Sequence, residues 1–214
     1  MATVVTQKAV RDAEIVVPIA ERPAEEARLS FDDGLEQVDL RAGDDPEALL
    51  TARFGEPLPS VWAAGGTVHI GYPMGSRLLR RVHPNTIRLN PGVPWALDVH
   101  GGTSGLEADL TGVDVRSVAF HSGAANVRLV LGRPDSPRPI RLASLKRVRI
   151  ERPAGVPVRL ELAGGATNVT LDDKRFGAIG RGLTDHTDGY DPTAPHYLVT
   201  VAGGADTLTI VTTT

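Results

Sequence analysis

Two histidines exactly one repeat apart would be notable only if a repeat exists, so the first residues to weigh are those whose types suggest chemistry. His100 and His121 lie 21 residues apart in this 214-residue chain. A pair of imidazoles can ligate a metal or act as acid and base. Positions 142 and 163, at the next two intervals, are Leu and Ala, so no third ligand continues the series. The two histidines then read more readily as polar corner residues facing water. The run Asp185-His186-Thr187-Asp188-Gly189-Tyr190-Asp191 offers three carboxylates that can serve Ca²⁺. It lacks the EF-hand spacing and its terminal bidentate acid, and Asp and Gly also build ordinary turns.

Asp98, Glu107 and Asp109, with Arg128 and Arg149, are the candidates for acid–base work on a polysaccharide. Nothing marks them as a catalytic pair at a defined separation. Gly101-Gly102-Thr103-Ser104-Gly105 resembles a nucleophile elbow only in composition. There is no phosphate-binding loop of the Gly-x-x-x-x-Gly-Lys-Ser/Thr kind. With no cysteine in the chain, disulfides, thiolate zinc sites and thiol nucleophiles are excluded. No catalytic, cofactor-binding or metal-binding residue is therefore assigned, and no cofactor is expected.

The elements that position these residues come from a repeat. Take Gly102, Gly123, Ser144, Gly165 and Gly204 as position zero; the first four are spaced by 21 residues and the last by 39. Position +4 reads Leu106, Val127, Val148, Val169, Leu208, and +6 reads Ala108, Leu129, Ile150, Leu171, Ile210. Between them, +5 reads Glu107, Arg128, Arg149, Thr170, Thr209. This is the period-two alternation of a half-buried strand. A second alternating run precedes each small-residue corner, as in Trp95, Leu97 and Val99. The third copy slips by one, which predicts a bulge or corner shift. Gly34, followed by Val38 and Leu40, and Gly66, followed by Thr67 to Tyr72, begin fainter copies.

Wound into coils, such repeats stack at about 4.8 Å with like residues above one another. The expected fold is all-β: a right-handed parallel β-helix (solenoid) with 21-residue coils. The rival is an antiparallel β-sandwich, in which each Gly-Gly is a hairpin turn. In the solenoid, His100 and His121 stack, Glu107 pairs with Arg128, and glycine at zero supplies positive φ at a tight corner. The 39-residue gap then holds an irregular coil with Phe176 to Tyr190 as its loop. Residues 44–55 read as one short helix, with Asp45 as cap, Pro46 in the first turn and Gly55 at the end. That helix, within a capping segment 1–60, would cover one end of a repeat region 61–214 in one continuous domain.

Charge is uneven. Residues 1–60 hold 13 acids and 6 bases, whereas residues 61–150 hold 5 acids and 12 bases. The basic block includes Arg77, Arg80, Arg81, Arg138, Arg141, Lys146, Arg147 and Arg149. It predicts either a patch for an anionic partner or pairing with the chain's own acids. Aromatics are only 4% of the chain, which argues against nucleic-acid binding by stacking. Met1 to Val17 has no long apolar stretch behind Lys8 and Arg11, and no run reaches the ~20 residues of a membrane span. The expectation is a cytoplasmic protein.

The phrase Gly164-Gly165-Ala166-Thr167-Asn168-Val169-Thr170-Leu171, with Asn90-Pro91-Gly92-Val93-Pro94-Trp95 upstream, resembles a group of uncharacterised bacterial adhesin-like proteins. It is similar also to the C-terminal part of LiaF-like envelope-stress proteins. Actinobacterial relatives share segments like Arg152 to Val158 and Asp172 to Gly177. The resemblance covers residues 60–212 and implies a β-solenoid without an established catalytic site. Residues and resemblance together predict a non-enzymatic scaffold or regulatory module that acts through a protein partner or self-association. The alternatives are a carbohydrate-active lyase or hydrolase, for which a glycan is the partner, and a polyanion-binding module using the 77–149 block.

Overall fold

The computed structural model describes residues 14–72 and 85–213. The described residues form an all-β protein whose only helical element is a short 3-10 turn, Ile19–Glu21. The first seven strands are β1 (Ile15–Pro18), β2 (Ala27–Phe31), β3 (Leu35–Ala42), β4 (Ala48–Arg53), β5 (Ser60–Ala64), β6 (Thr67–Gly71) and β7 (Asn85–Leu89). Then come β8 (Trp95–Val99), β9 (Thr103–Leu110), β10 (Val115–Leu131), β11 (Arg138–Arg152), β12 (Val158–Leu162) and β13 (Ala166–Leu171). The last four are β14 (Lys174–Ile179), β15 (Leu183–His186), β16 (Tyr197–Val201) and β17 (Ala205–Thr212).

Hydrogen bonding arranges them in two ladders. One runs β6–β2–β8–β10–β11–β16–β12, all parallel. The other runs β7–β3–β9–β10–β11–β17–β13, again all parallel. β10 and β11 are long enough to turn the corner and serve both ladders. Each first-ladder strand, its corner and the following second-ladder strand make one rung. Parallel pairing gives way to antiparallel pairing at both ends. β5 pairs with β6, and β4 and then β1 extend from β7. At the other end β15 pairs with β12, and β14 with β13.

The repeat columns are present in the register. Val38, Leu106, Val127, Val148, Leu208 and Val169 are successive partners, as are Leu40, Ala108, Leu129, Ile150, Ile210 and Leu171. Their side chains are buried in one hydrophobic cluster to which both ladders contribute. Burying each Leu, Ile or Val contributes about 1.5–3 kcal/mol, which is why the apolar alternation sets the inward face. Five corners take four residues, for example Val99 to Thr103, but Leu142 to Leu145 takes three. This shorter corner is the slip seen in the third copy.

Four expectations are corrected. Residues 44–55 do not form a helix; Ala48–Arg53 is strand β4, paired on both sides. Asp45 does bond locally, accepting the Glu47 N–H at 2.9 Å, but it shapes a turn. Leu49, Leu50 and Ala52 are buried where the second ladder needs a further strand, and that tertiary demand overrides local propensity. The copy beginning at Gly66 belongs to the first ladder, since Thr67 pairs with Arg28. The 39-residue gap holds β14 and β15, which run antiparallel back along β13 and β12. Lastly, the glycines at position zero, Gly102, Gly123, Gly165 and Gly204, are not in the positive-φ region. Close approach instead demands glycine one residue before them: a Cβ on Gly101 would lie 2.2 Å from the Gly34 nitrogen, and one on Gly164 would lie 2.4 Å from the Gly203 oxygen.

Positive φ falls three residues later, at +3, in a column of its own. Gln37, Gly105, Asn126, Arg147, Thr207 and Asn168 all have φ between 45° and 76°. This residue is skipped on both partners in the pairing of each rung, so the second ladder carries a stack of local kinks with no shift of register. Gly and Asn accept this conformation readily, whereas β-branched Thr207 is strained by it.

Stack order departs from chain order at both flanks. Rung β2–β3 lies between β6/β7 and β8–β9. Rung β16–β17 lies between β11 and β12–β13. Asn126 and Asn168 are therefore separated by both Arg147 and Thr207.

Candidate functional site

Polar side chains that face away from the core converge most closely near the corner of the first ladder. Alternation turns Leu29, Phe31, Leu97 and Val99 inward, and so turns Ser30 and Asp98 outward. Register places Trp62, His69, Ser30 and Asp98 in one row across four strands. His100 and His121 lie at the adjoining corner. Their rings stack with centroids 4.6 Å apart and planes 5° from parallel, as the one-repeat spacing predicts. His121 Nε2 is 3.2 Å from Asp98 Oδ1, and Arg28 Nη1 donates to Asp98 Oδ2. Asp98 is only 8% exposed, and the Arg28 guanidinium is the cation that faces its carboxylate.

A second acid–imidazole pair sits beside the first. His69 Nδ1 lies 3.1 Å from Asp32 Oδ2, and its ring stacks on Trp62 at 4.9 Å. Ser30 Oγ donates to Asp32 Oδ1 at 2.5 Å. The hydroxyl thus addresses a carboxylate, not an imidazole, which is not the arrangement of an activated nucleophile. The sequence pointed to Asp98, His100 and His121. It missed Arg28, Ser30, Asp32, Trp62 and His69, because those come from strands brought alongside by topology. Their only sequence signal is outward phase in an alternating run.

The other candidate residues form structural pairs. Arg128 Nη1 is 3.6 Å from Glu107 Oε2, as expected for adjacent +5 positions. Arg128 also grips Glu151 through Nε at 2.9 Å and Nη2 at 3.0 Å, and Arg149 Nε donates to Glu151 at 2.7 Å. Asp109 accepts the Thr111 hydroxyl at 2.8 Å in a turn. Hydrogen bonds from Arg128, then Arg149, hold the Glu151 carboxyl below its ordinary range despite burial. Burial pushes Asp39 up, but hydrogen bonds from Arg88 and Arg41 outweigh it and leave that carboxyl lowered.

In the acidic loop, Asp185 accepts from Lys174 Nζ at 2.8 Å, and Asp191 accepts the Thr193 N–H at 2.8 Å and its hydroxyl at 2.7 Å. The Lys174 hydrogen bond lowers the Asp185 pKa, and the Thr193 bonds lower that of Asp191. The loop is pinned by rings: His186 stacks on Tyr190 at 5.2 Å, and His196 meets Tyr190 edge-on at 4.9 Å. Among the described residues, no group of three or more His, Asp or Glu side chains is placed to hold a metal ion.

Of the basic block, Arg77, Arg80 and Arg81 lie outside the described residues. Arg138 pairs with Asp135 and Asp114, Arg149 with Glu151, and Arg147 Nε donates to Asn126 Oδ1 at 2.7 Å. Lys146 borders an open cleft beside the corner, with Thr167, Ala178, Gly180 and Asp206. At the far edge of the sheet Arg152 is 2% exposed and pairs with Asp172 Oδ2 at 2.6 Å. Its Nε and Nη1, and Asp172 Oδ1, have no hydrogen-bond partner among the described residues.

No protein family and no curated protein matches the chain. The chain is similar in structure to a "putative cell adhesion protein" from Clostridium sporogenes, with a TM-score of 0.67 over 94% of this chain and 99% of that one, at 14% identity. At that identity the likeness concerns the fold. Neither the LiaF-like nor the actinobacterial resemblance gains a match. Among the described residues, no helix is long and apolar enough to cross a membrane.

Proposed function

We propose that the two ladders are walls of a right-handed parallel β-helix, in one continuous domain, and that the chain is a non-enzymatic interaction module that self-associates or docks a protein partner. The observation that carries this reading is the state of the outer faces. Their charged side chains are tied to one another rung by rung, as in Glu107–Arg128–Glu151–Arg149, which makes broad, regular surfaces. The likeness to a "putative cell adhesion protein" is compatible with such a role. Light scattering across a concentration series tests self-association: a mass that rises with concentration supports it, and a strict monomer removes it.

A second reading has one observation in its favour. Arg28, Asp98 and His121 bring a guanidinium, a buried carboxylate and an imidazole together on one face. That set suits an acidic glycan. Turnover or binding of acidic polysaccharides that is lost in Asp98→Asn would replace the first reading with this one.

A further inference from the structure

The C-terminal rung does not lie where its place in the chain would put it. β16–β17 is inserted between β11 and β12–β13 and is hydrogen-bonded on both sides. Val201 pairs with Leu142 and Leu162, and Ile210 pairs with Ile150 and Leu171. Its inward side chains Tyr197, Val199, Val201, Leu208 and Ile210 are at most 3% exposed. The rung is thus an apolar insert in a two-sided slot, joined to β15 through residues 187–196, a tether with no helix or strand.

We propose that the chain self-associates by exchanging this rung, β16–β17 of one copy filling the slot of a second copy. The occupant of the slot is identical in every copy, so an exchanged rung makes the same ladder bonds and buries the same side chains. What favours the closed monomer is the tether, whose effective concentration is on the order of millimolar for a short flexible linker. The tether is further held by Tyr190, which lies between His186 and His196 and under the Arg159 guanidinium at 5.9 Å. Simple end-on strand addition is less favourable. β14 begins with Lys174-Arg175, and β5 is preceded by Pro57 and Pro59, residues that blunt strand edges. The inference rests on the ladder reading given above, and its test separates the two.

The chain has no cysteine, so cysteines can be introduced one per chain. Arg149 and Thr209 are direct partners across β11 and β17. Full-length Arg149→Cys is mixed with full-length Thr209→Cys at rising concentration, and disulfides are formed by mild oxidation. Exchange predicts a 149–209 heterodimer several-fold above a control mixture of Arg128→Cys and Thr209→Cys, whose positions are two rungs apart. Adding Tyr190→Gly to both chains raises the yield further. A yield equal to the control at every concentration, while the double variant Arg149→Cys/Thr209→Cys closes a disulfide within one chain, overturns the exchange and leaves the ladders intact. Failure of the double variant to close overturns the ladder reading and the exchange together.

Discussion

From Trp95 to Arg152 the rungs stack in the order in which the chain makes them; on either side they do not. In the central block β8–β9, β10 and β11 follow one another. At each flank a terminal rung is inserted one place inward, and short antiparallel strands close the end. The contrast separates two things that a repeat encodes. Position within a rung fixes the column of a side chain and whether it faces in or out. The identity of its neighbours in that column depends on topology, and the repeat spacing does not carry it.

Substitutions where the central block meets the inserted rung sharpen this contrast, and the largest effect is expected at Arg152. Leu110 and Leu131 are buried two and one rungs earlier, and Arg152 takes the equivalent place with Asp172 as its ion-pair partner. Asp172→Ala should cost about 3–5 kcal/mol by leaving the buried Arg152 guanidinium unpaired, and Arg152→Ala less, because the Asp172 it leaves alone is part-exposed. Arg152→Leu combined with Asp172→Asn should cost far less, because it extends an apolar column. Denaturant midpoints of the three variants decide it; equal losses in all three would mean that charge burial is not the cause.

The corner glycines give the next effect. Gly164→Ala drives a Cβ into the Gly203 carbonyl of the inserted rung and should cost about 1–3 kcal/mol. Gly204→Ala meets nothing within 4 Å and should stay within about 0.5 kcal/mol of the parent. Similar losses for both would break the inserted order, because only that order brings Gly203 against Gly164.

Within the central block, Glu151→Gln should cost about 1 kcal/mol, since the two arginines it joins are half exposed. Glu151, Asp39 and Asp185 all titrate below the ordinary carboxylate range. Their stabilisation is complete above the unfolded-state values, near pH 4, and is lost as pH falls through the folded-state values. Denaturation midpoints measured from pH 7 downward should therefore fall below about pH 4, and less steeply in Glu151→Gln. The smallest effect is a gain. Thr207 occupies the left-handed conformation that Asn126 and Asn168 hold in the same column, so Thr207→Asn should stabilise by about 0.5–1 kcal/mol. A loss on thermal unfolding would show that the Thr207 hydroxyl, which donates to Asp206 at 3.2 Å, outweighs the strain.

How much was legible follows the same division. The inward columns were legible on both flanks as well as in the centre, because phase within a rung sets them. The short third corner, the His100–His121 stack and the Glu107–Arg128 pair, by contrast, lie inside the central block, where 21 residues along the chain is one step along the ladder. Asp98 was legible as an outward acid, but its Arg28 partner, 70 residues away, was not, because β2 reaches β8 only through the inserted rung. The acids and proline of 44–55 spoke for a helix, and the missing second-ladder strand made it β4. Glycine at the corners was visible, but its cause was hidden: spacing cannot distinguish positive φ from contact with a backbone of another rung.

Disulfide trapping in two double variants tests the stack order most directly. Arg149 and Thr170 are one 21-residue interval apart, yet Thr209 lies between them and pairs with both. Under mild oxidation, Arg149→Cys/Thr209→Cys should close a disulfide within one chain, while Arg149→Cys/Thr170→Cys should not. Closure of the 149–170 pair and failure of the 149–209 pair would show that the rungs stack in chain order, and the inserted rung would be refuted.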